Sequence, residues 1–175
     1  MFSNRFNEIK KFIPAILVIA LAIGGISLWS AKSQDSCVNL VIDYGVLDSK
    51  SEPYKKCISV NGETTALDLL NSANFKLEGT AKYGNMVVCR LNNLPKANQP
   101  IGIKGHEEYI EECKDMPAEF AYWAVLEKRK QSIPNPADLN SKWAWAQVGV
   151  AELGLNVGDS VAFVFADNGN VKFPE

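Results

Sequence analysis

The stretch Val38-Asn39-Leu40-Val41-Ile42-Asp43 is β-branched and apolar, and it ends shortly before Gly45. Such a run predicts a β-strand. Residues 56–60 alternate between polar and apolar side chains and stop at Asn61-Gly62, a common turn dipeptide. Because the two runs follow one another closely, we predict that they pair as a hairpin at the start of the folded domain.

One amphipathic helix is predicted after this hairpin. Thr65 and Asp68 have the spacing of an N-terminal capping box, with Asp in the place of the more usual Glu. A helix that is apolar on one face needs a surface to cover, so we expect it to pack on a sheet. The apolar residues recur at the spacing of one helix face: Ala66, Leu69, Leu70 and Ala73.

The rest of the chain predicts further strands at residues 86–91, 120–128, 143–148 and 161–165. Residues 95–105 contain two prolines and two glycines and predict a loop. The order is two strands, one helix and then several strands. It predicts an α+β domain in which one main helix packs on a mixed sheet.

The chain has four cysteines and a single histidine, His106, and no Cys-x-x-Cys pair. The usual zinc ligand sets are therefore missing, and we predict no metal site. An even cysteine count in an oxidising compartment indicates two disulfide bonds, with three possible connectivities. We favour Cys37 with Cys57 and Cys89 with Cys113, loops of about 20 to 24 residues worth roughly 3 kcal/mol each.

Residues 12–31 contain no charged side chain. At about 1.5 Å per residue, a helix of this length spans roughly 30 Å, the hydrocarbon thickness of a bilayer. Arg5, Lys10 and Lys11 precede the run against the single acid Glu8, and this basic excess predicts a cytoplasmic N-terminus. The segment therefore predicts a single transmembrane helix that acts as a signal anchor.

The predicted organisation is a cytoplasmic segment at residues 1–11, the anchor at 12–31, a short stalk at 32–36 and an extracytoplasmic domain at 37–175. A cleaved signal is the alternative, because Ala31-Lys32-Ser33 has the small-x-small form of a cleavage site. Cleavage would make the domain a secreted protein rather than a single-pass protein of the cell membrane.

Composition and motifs narrow the function classes. The chain has 18 basic and 20 acidic residues, which argues against a nucleic-acid partner. It contains no Gly-x-Ser-x-Gly elbow, no Walker loop and no Gly-x-Gly-x-x-Gly. We therefore predict neither an enzyme nor catalytic residues, and we assign no cofactor.

Several motifs follow one another along the chain: Cys89-Arg90-Leu91, Leu94-Pro95, Cys113, Tyr122-Trp123, residues 143–149 and Val157-Gly158-Asp159-x-Val161-x-Phe163. These motifs and the element order resemble the transcobalamin-like C-terminal domain, a β-grasp module. The likeness is greater to the small membrane-anchored or secreted actinobacterial members of that family, and it covers about residues 37 to 166. The resemblance implies a β-grasp sheet and binding rather than catalysis. In transcobalamins this type of domain covers a corrinoid held mainly by a separate helical barrel, which this chain lacks.

Aromatic residues are the candidate ligand-binding side chains, because they offer stacking surfaces to a flat ligand. The other interpretation is that they fill the core between helix and sheet, since the face of a single strand is usually either wholly core or wholly site. Trp143 and Trp145 are two residues apart, so they share one face of a strand, and Gln147 continues that face. The full set of candidates is Tyr122, Trp123, Trp143, Trp145 and Gln147.

We therefore predict a membrane-tethered extracytoplasmic binding module for an unidentified small ligand. A cofactor-like molecule is one candidate ligand, and presentation of the ligand to a membrane transporter is one candidate role. The alternative is a structural or protein-interaction subunit at the cell surface. Such a subunit would pair with its partner through an open sheet edge and would have no small ligand.

Overall fold

A computed structural model describes residues 36–130 and 142–175. Its first strands, Cys37–Asp43 (β1) and Tyr54–Ser59 (β2), pair antiparallel, so the predicted hairpin is confirmed. A 3₁₀ turn at Gly45–Asp48 lies between them. Gly45 has a φ of +51°, and a Cβ there would lie 3.0 Å from the carbonyl oxygen of Phe165. Glycine is suited to this position because it has no Cβ.

The helix begins where the sequence predicts it. The Thr65 hydroxyl accepts a hydrogen bond from the Asp68 amide at 3.1 Å and donates one to the Asp68 carboxylate at 2.8 Å. The helix, Ala66–Ser72 (α1), buries Ala66, Leu69 and Leu70 completely. Both the cap and the apolar face are thus confirmed.

Seven further strands follow the chain order. They are Thr64–Thr65 (β3), Leu77–Thr80 (β4), Gly84–Leu91 (β5), Trp123–Lys128 (β6), Ala144–Trp145 (β7), Gly154–Leu155 (β8) and Ser160–Phe165 (β9).

The main sheet has five strands in the order β2-β1-β9-β6-β7. Strands β1 and β9 run parallel, and the other neighbours are antiparallel. The described domain is therefore α+β with one α-helix and a mixed sheet, as predicted. Strand β9 lies at the centre and is buried on both faces, which explains its nearly continuous apolar sequence from Val161 to Phe165.

Four elements differ from the prediction. Two of them, β3 and β8, are two-residue strands that pair with each other. Strand β4 was not predicted, because Leu77-Glu78-Gly79-Thr80 has no strand-like alternation. It pairs with β5 in a separate ribbon, where a Cβ on Gly79 would lie only 2.0 Å from the Gly84 carbonyl oxygen. The strand predicted at 143–148 is reduced to β7, because Gln147 turns back and donates to the Trp145 carbonyl at 2.9 Å.

Both predicted disulfide bonds are present. Cys37 pairs with Cys57 across the β1–β2 hairpin, with 5.5 Å between Cα atoms. Cys89 on β5 pairs with Cys113, with 5.6 Å between Cα atoms. Two disulfides fit an oxidising, extracellular environment.

The predicted cytoplasmic segment 1–11, the anchor at 12–31 and most of the stalk at 32–36 lie outside the described residues. Among residues 36–130 and 142–175, no helix is long and apolar enough to cross a membrane.

Candidate functional site

The two faces of the main sheet are covered differently. The inner face packs against α1 and carries the large core, including Leu40, Ile42 and Phe163. The outer face carries a smaller cluster of Val41, Leu126, Ala162 and Val164, against which Trp143 and Val171 pack. Because no helix of the described chain covers the outer face, part of it is left open to solvent.

Trp123 lies on the inner face. It is 5% exposed, and its ring makes edge-to-face contacts with Tyr44 and Phe165 at centroid distances of 5.6 and 5.4 Å. Its indole nitrogen donates to the Leu94 carbonyl at 3.2 Å. Trp123 is therefore a core residue. Tyr122, its half-buried neighbour, accepts at its main-chain carbonyl from the Ala166 amide at 2.8 Å.

Trp143 and Trp145 lie on the outer face. Trp143 is half-buried against the outer cluster. Trp145 lies opposite Leu126 in the sheet and is 44% exposed. Its ring meets that of Phe173 edge-on, with 6.1 Å between ring centroids. Gln147 is exposed and lies beyond the end of β7. The structure thus places Trp143 and Trp145 on the outer face and Trp123 on the inner face.

An open groove of about 330 Å³ crosses the outer face beside Trp143. Its floor is formed by neighbouring strands, with Asn39 opposite Ser160 and Val41 opposite Ala162. Asn39 donates to the Ser160 hydroxyl at 3.4 Å. The groove is lined by Asn39, Leu40, Val41, Lys55, Lys56, Cys57, Lys128, Trp143, Ser160 and Glu175.

A second, smaller hollow of about 210 Å³ adjoins the groove on the same face. Asp43 and Glu52 line it together with residues 172–175, and Lys55 lines both spaces. Its lining is therefore more acidic than that of the groove. The outer face offers two environments of different charge, and only the groove borders Trp143.

A buried polar network lies around the second disulfide. The carboxylate of Glu111 accepts from the Cys113 amide and from the Tyr109 hydroxyl, both at 2.7 Å. Burial, reinforced by the bond to Glu111, raises the pKa of Tyr109 to about 12. Cys89, Cys113 and Glu111 lie close enough to resemble a metal ligand set, but the two sulfurs are bonded to each other and offer no thiolate.

Sequence reasoning missed the polar residues of the groove. Asn39 and Ser160 belong to apolar strands, Lys55 is followed by a second lysine in β2, and Lys128 is the last residue of β6. The available signal was a polar residue in each of two mainly apolar strands, Asn39 in β1 and Ser160 in β9. Only the register of the sheet places these residues in one row.

No protein-family model matches the sequence, and no curated protein is significantly similar to it. The resemblance to transcobalamin-like domains therefore rests on the motifs quoted above.

Proposed function

We propose that this protein is a membrane-tethered extracytoplasmic module that binds a small ligand in the groove beside Trp143. The observation that carries the proposal is the juxtaposition of a half-buried indole with an open, partly polar groove. Concave sites that combine an aromatic surface with a few polar groups are typical of ligand binding. The two disulfides support an extracytoplasmic location, and the uncharged segment 12–31 supports the membrane tether.

We also propose that the domain is a β-grasp module of the transcobalamin-like type. The first strands form a hairpin, and a single helix follows them. Strands β1 and β9, the first and last of the domain in chain order, lie side by side in the main sheet and run parallel. This arrangement is the one expected for a β-grasp sheet, and it supports the proposal.

Binding rather than catalysis is supported by the roles of the buried carboxylates. Glu111 accepts from Cys113 and Tyr109, as described above. Asp159 accepts from the amides of Lys130 and Asn156 at 2.8 and 2.9 Å and from Arg129 at 3.1 Å. Each of these carboxylates accepts hydrogen bonds from loop residues, which is a structural role.

The test is a thermal-shift screen of the full chain in detergent micelles against a metabolite panel that includes corrinoids. We expect at least one compound to raise the unfolding temperature in a saturable way. Replacement of Trp143 by Ala should abolish that response, whereas Tyr83→Ala, at an exposed position outside the groove, should keep it. A panel without any saturable binder would contradict the proposal. If a ligand is found, a membrane transporter is its proposed recipient, and co-purification with a transporter component tests this.

The alternative function, a protein-interaction subunit, is favoured by one observation. Strand β2 has a single strand neighbour in the described sheet, β1, so its other edge is open for pairing. A photo-crosslinking residue in place of Lys56 on this edge should capture a partner in the native membrane. Recovery of this protein alone would count against the alternative.

A further inference from the structure

We infer that the groove takes an organic anion, a flat ring-containing molecule with a carboxylate or phosphate group. The inference rests on the proposed binding function and names the ligand class of that same site. It is carried by the position of two lysines and a row of hydrogen-bonding groups next to Trp143.

The sheet register directs two lysines toward the groove. Lys55 lies opposite Val41, and Lys128 lies opposite Ser160, so both share the outer face with these residues. Lys56 also borders the groove, but it lies opposite Leu40, a residue of the inner core. Its position in the register favours the other face. Lys55 and Lys128 are therefore the two groove lysines that the register places on the outer face.

Neither lysine forms an ion pair within the described part of the chain, although Lys55 also lines the adjoining hollow that contains Asp43 and Glu52. The ion pairs there involve Lys82, Lys114, Arg90 and Arg129, and none involves Lys55 or Lys128. An uncompensated ammonium at the edge of a partly enclosed groove attracts anions more strongly than one on a convex surface. Glu175 is the single acidic residue that lines the groove, so lysines prevail in its charge.

The donors form one row across the floor. Lys128 lies opposite Ser160, and Ser160 lies opposite Asn39. Neighbouring strands are about 4.8 Å apart, so this row presents an ammonium, a hydroxyl and a carboxamide within about 10 Å. These are the groups that bind a carboxylate or phosphate oxygen. The row ends at Cys57 on β2, and Lys55 lies two residues along that strand. Three strand spacings and this offset place Lys55 about 16 Å from Lys128, at the other end of the groove.

Trp143 explains why the ligand would have a ring. Its indole borders the same groove and packs on the outer cluster, which fixes it in place. A fixed aromatic surface beside a cationic row suits a planar ring with an anionic substituent, because the ring stacks while the anion meets the donors.

The test compares three probes that share one ring and differ in charge: benzoate, benzyl alcohol and benzylamine. The indole nitrogens of the full chain are isotopically labelled for NMR in detergent micelles. The indole N–H resonance of Trp143 is assigned by its disappearance in the spectrum of the Trp143→Phe variant. We expect benzoate to shift this signal saturably and to bind at least about fivefold more tightly than the other two probes. The preference should diminish as salt concentration rises.

The Lys128→Gln variant should weaken benzoate binding by about three- to tenfold and leave benzyl alcohol unchanged. Lys96→Gln, at an exposed lysine outside the groove, is the matched control and should bind like the parent chain. Unfolding midpoints of both variants separate a loss of binding from a loss of folding.

The outcomes separate the two proposals. Equal binding of benzoate and benzyl alcohol, or a preference for benzylamine, overturns the anion inference and leaves the binding function standing. If benzoate leaves the Trp143 signal unchanged, the anion inference fails. The binding function fails as well only when the metabolite panel also yields no ligand.

Discussion

Arg90 donates from its guanidinium to the main-chain carbonyl of Glu111 at 2.6 Å, and both residues are buried. The same side chain also donates to the Pro95 carbonyl at 2.9 Å and pairs with the Glu78 carboxylate at 2.6 Å. One arginine on β5 thus joins the β4–β5 ribbon to two loops. The loop around Glu111 also contains Cys113, so the guanidinium and the second disulfide hold the same segment.

Replacement of Arg90 by Met should lower the free energy of unfolding by about 2 to 4 kcal/mol. The reason is that two buried carbonyls lose their donors at once. Urea denaturation of the chain with both disulfides intact measures this change.

The matched control is Lys114→Met. Lys114 pairs with Glu112 at 2.7 Å, but both side chains are largely exposed, so the loss should stay below about 0.5 kcal/mol. Arg90→Lys keeps the charge and loses the forked geometry, and it should lie between the two. Equal stability losses in Arg90→Met and Lys114→Met would show that the guanidinium network is not important for stability.

Trp123 and Trp145 lie on opposite faces of the sheet, and we expect their replacement to have different effects on stability. Trp123→Ala should lower the free energy of unfolding by about 3 to 5 kcal/mol, because it leaves a buried cavity between Tyr44 and Phe165. Trp145→Ala should cost less than about 1 kcal/mol, since that side chain is 44% exposed. Denaturation curves of the two variants provide the comparison, and similar losses would contradict the assignment of Trp123 to the core.

The two disulfides should differ in their rates of reduction. Cys57 is exposed at the edge of the groove, whereas Cys89 and Cys113 are only 2% and 6% exposed. Thiol–disulfide exchange requires access to a sulfur atom. Mild treatment of the folded chain with a thiol reductant, followed by alkylation and mass spectrometry, should label Cys37 and Cys57 first.

In denaturant, where burial no longer protects either bridge, the two pairs should be labelled at similar rates. Early labelling of Cys89 and Cys113 in the folded chain would disprove the predicted order.

The Tyr109 hydroxyl predicts a loss of stability at alkaline pH. Its pKa is raised from 10.0 to about 12, first by burial and then by its bond to Glu111. The folded state therefore retains this proton at a pH where the unfolded chain has lost it. The contribution of the protonated Tyr109 hydroxyl to the free energy of unfolding is fully present below pH 10 and is lost as pH rises from 10 to about 12.

Absorbance at the phenolate wavelength, followed during alkaline titration, tests this prediction. Tyr109→Phe should remove an ionisation step near pH 12 and make the decline of unfolding free energy above pH 10 shallower. An unchanged titration curve would mean that another tyrosine ionises there.

Local sequence signals predicted the elements that depend on neighbouring residues. The alternation in β2 and the apolar run of β1 identified the hairpin, and the Thr65–Asp68 spacing identified the start of α1. These predictions succeeded because capping and alternation involve residues within a few positions of each other. The sequence did not predict strand β4, because its pairing with β5 depends on the close approach of Gly79 to Gly84. No pattern among neighbouring residues indicates this approach.

Short-range spacing along the chain predicted the hairpin, the capped helix and the apolar closing strand, and the even cysteine count predicted two disulfides. Long-range contacts place β1 beside β9, bury Trp123 in the core and bring Trp143 to the same groove as Lys128. Alternation within a strand shows which residues share a face. Which face meets the helix depends on the register between strands distant in sequence, and that register is set when the whole sheet packs.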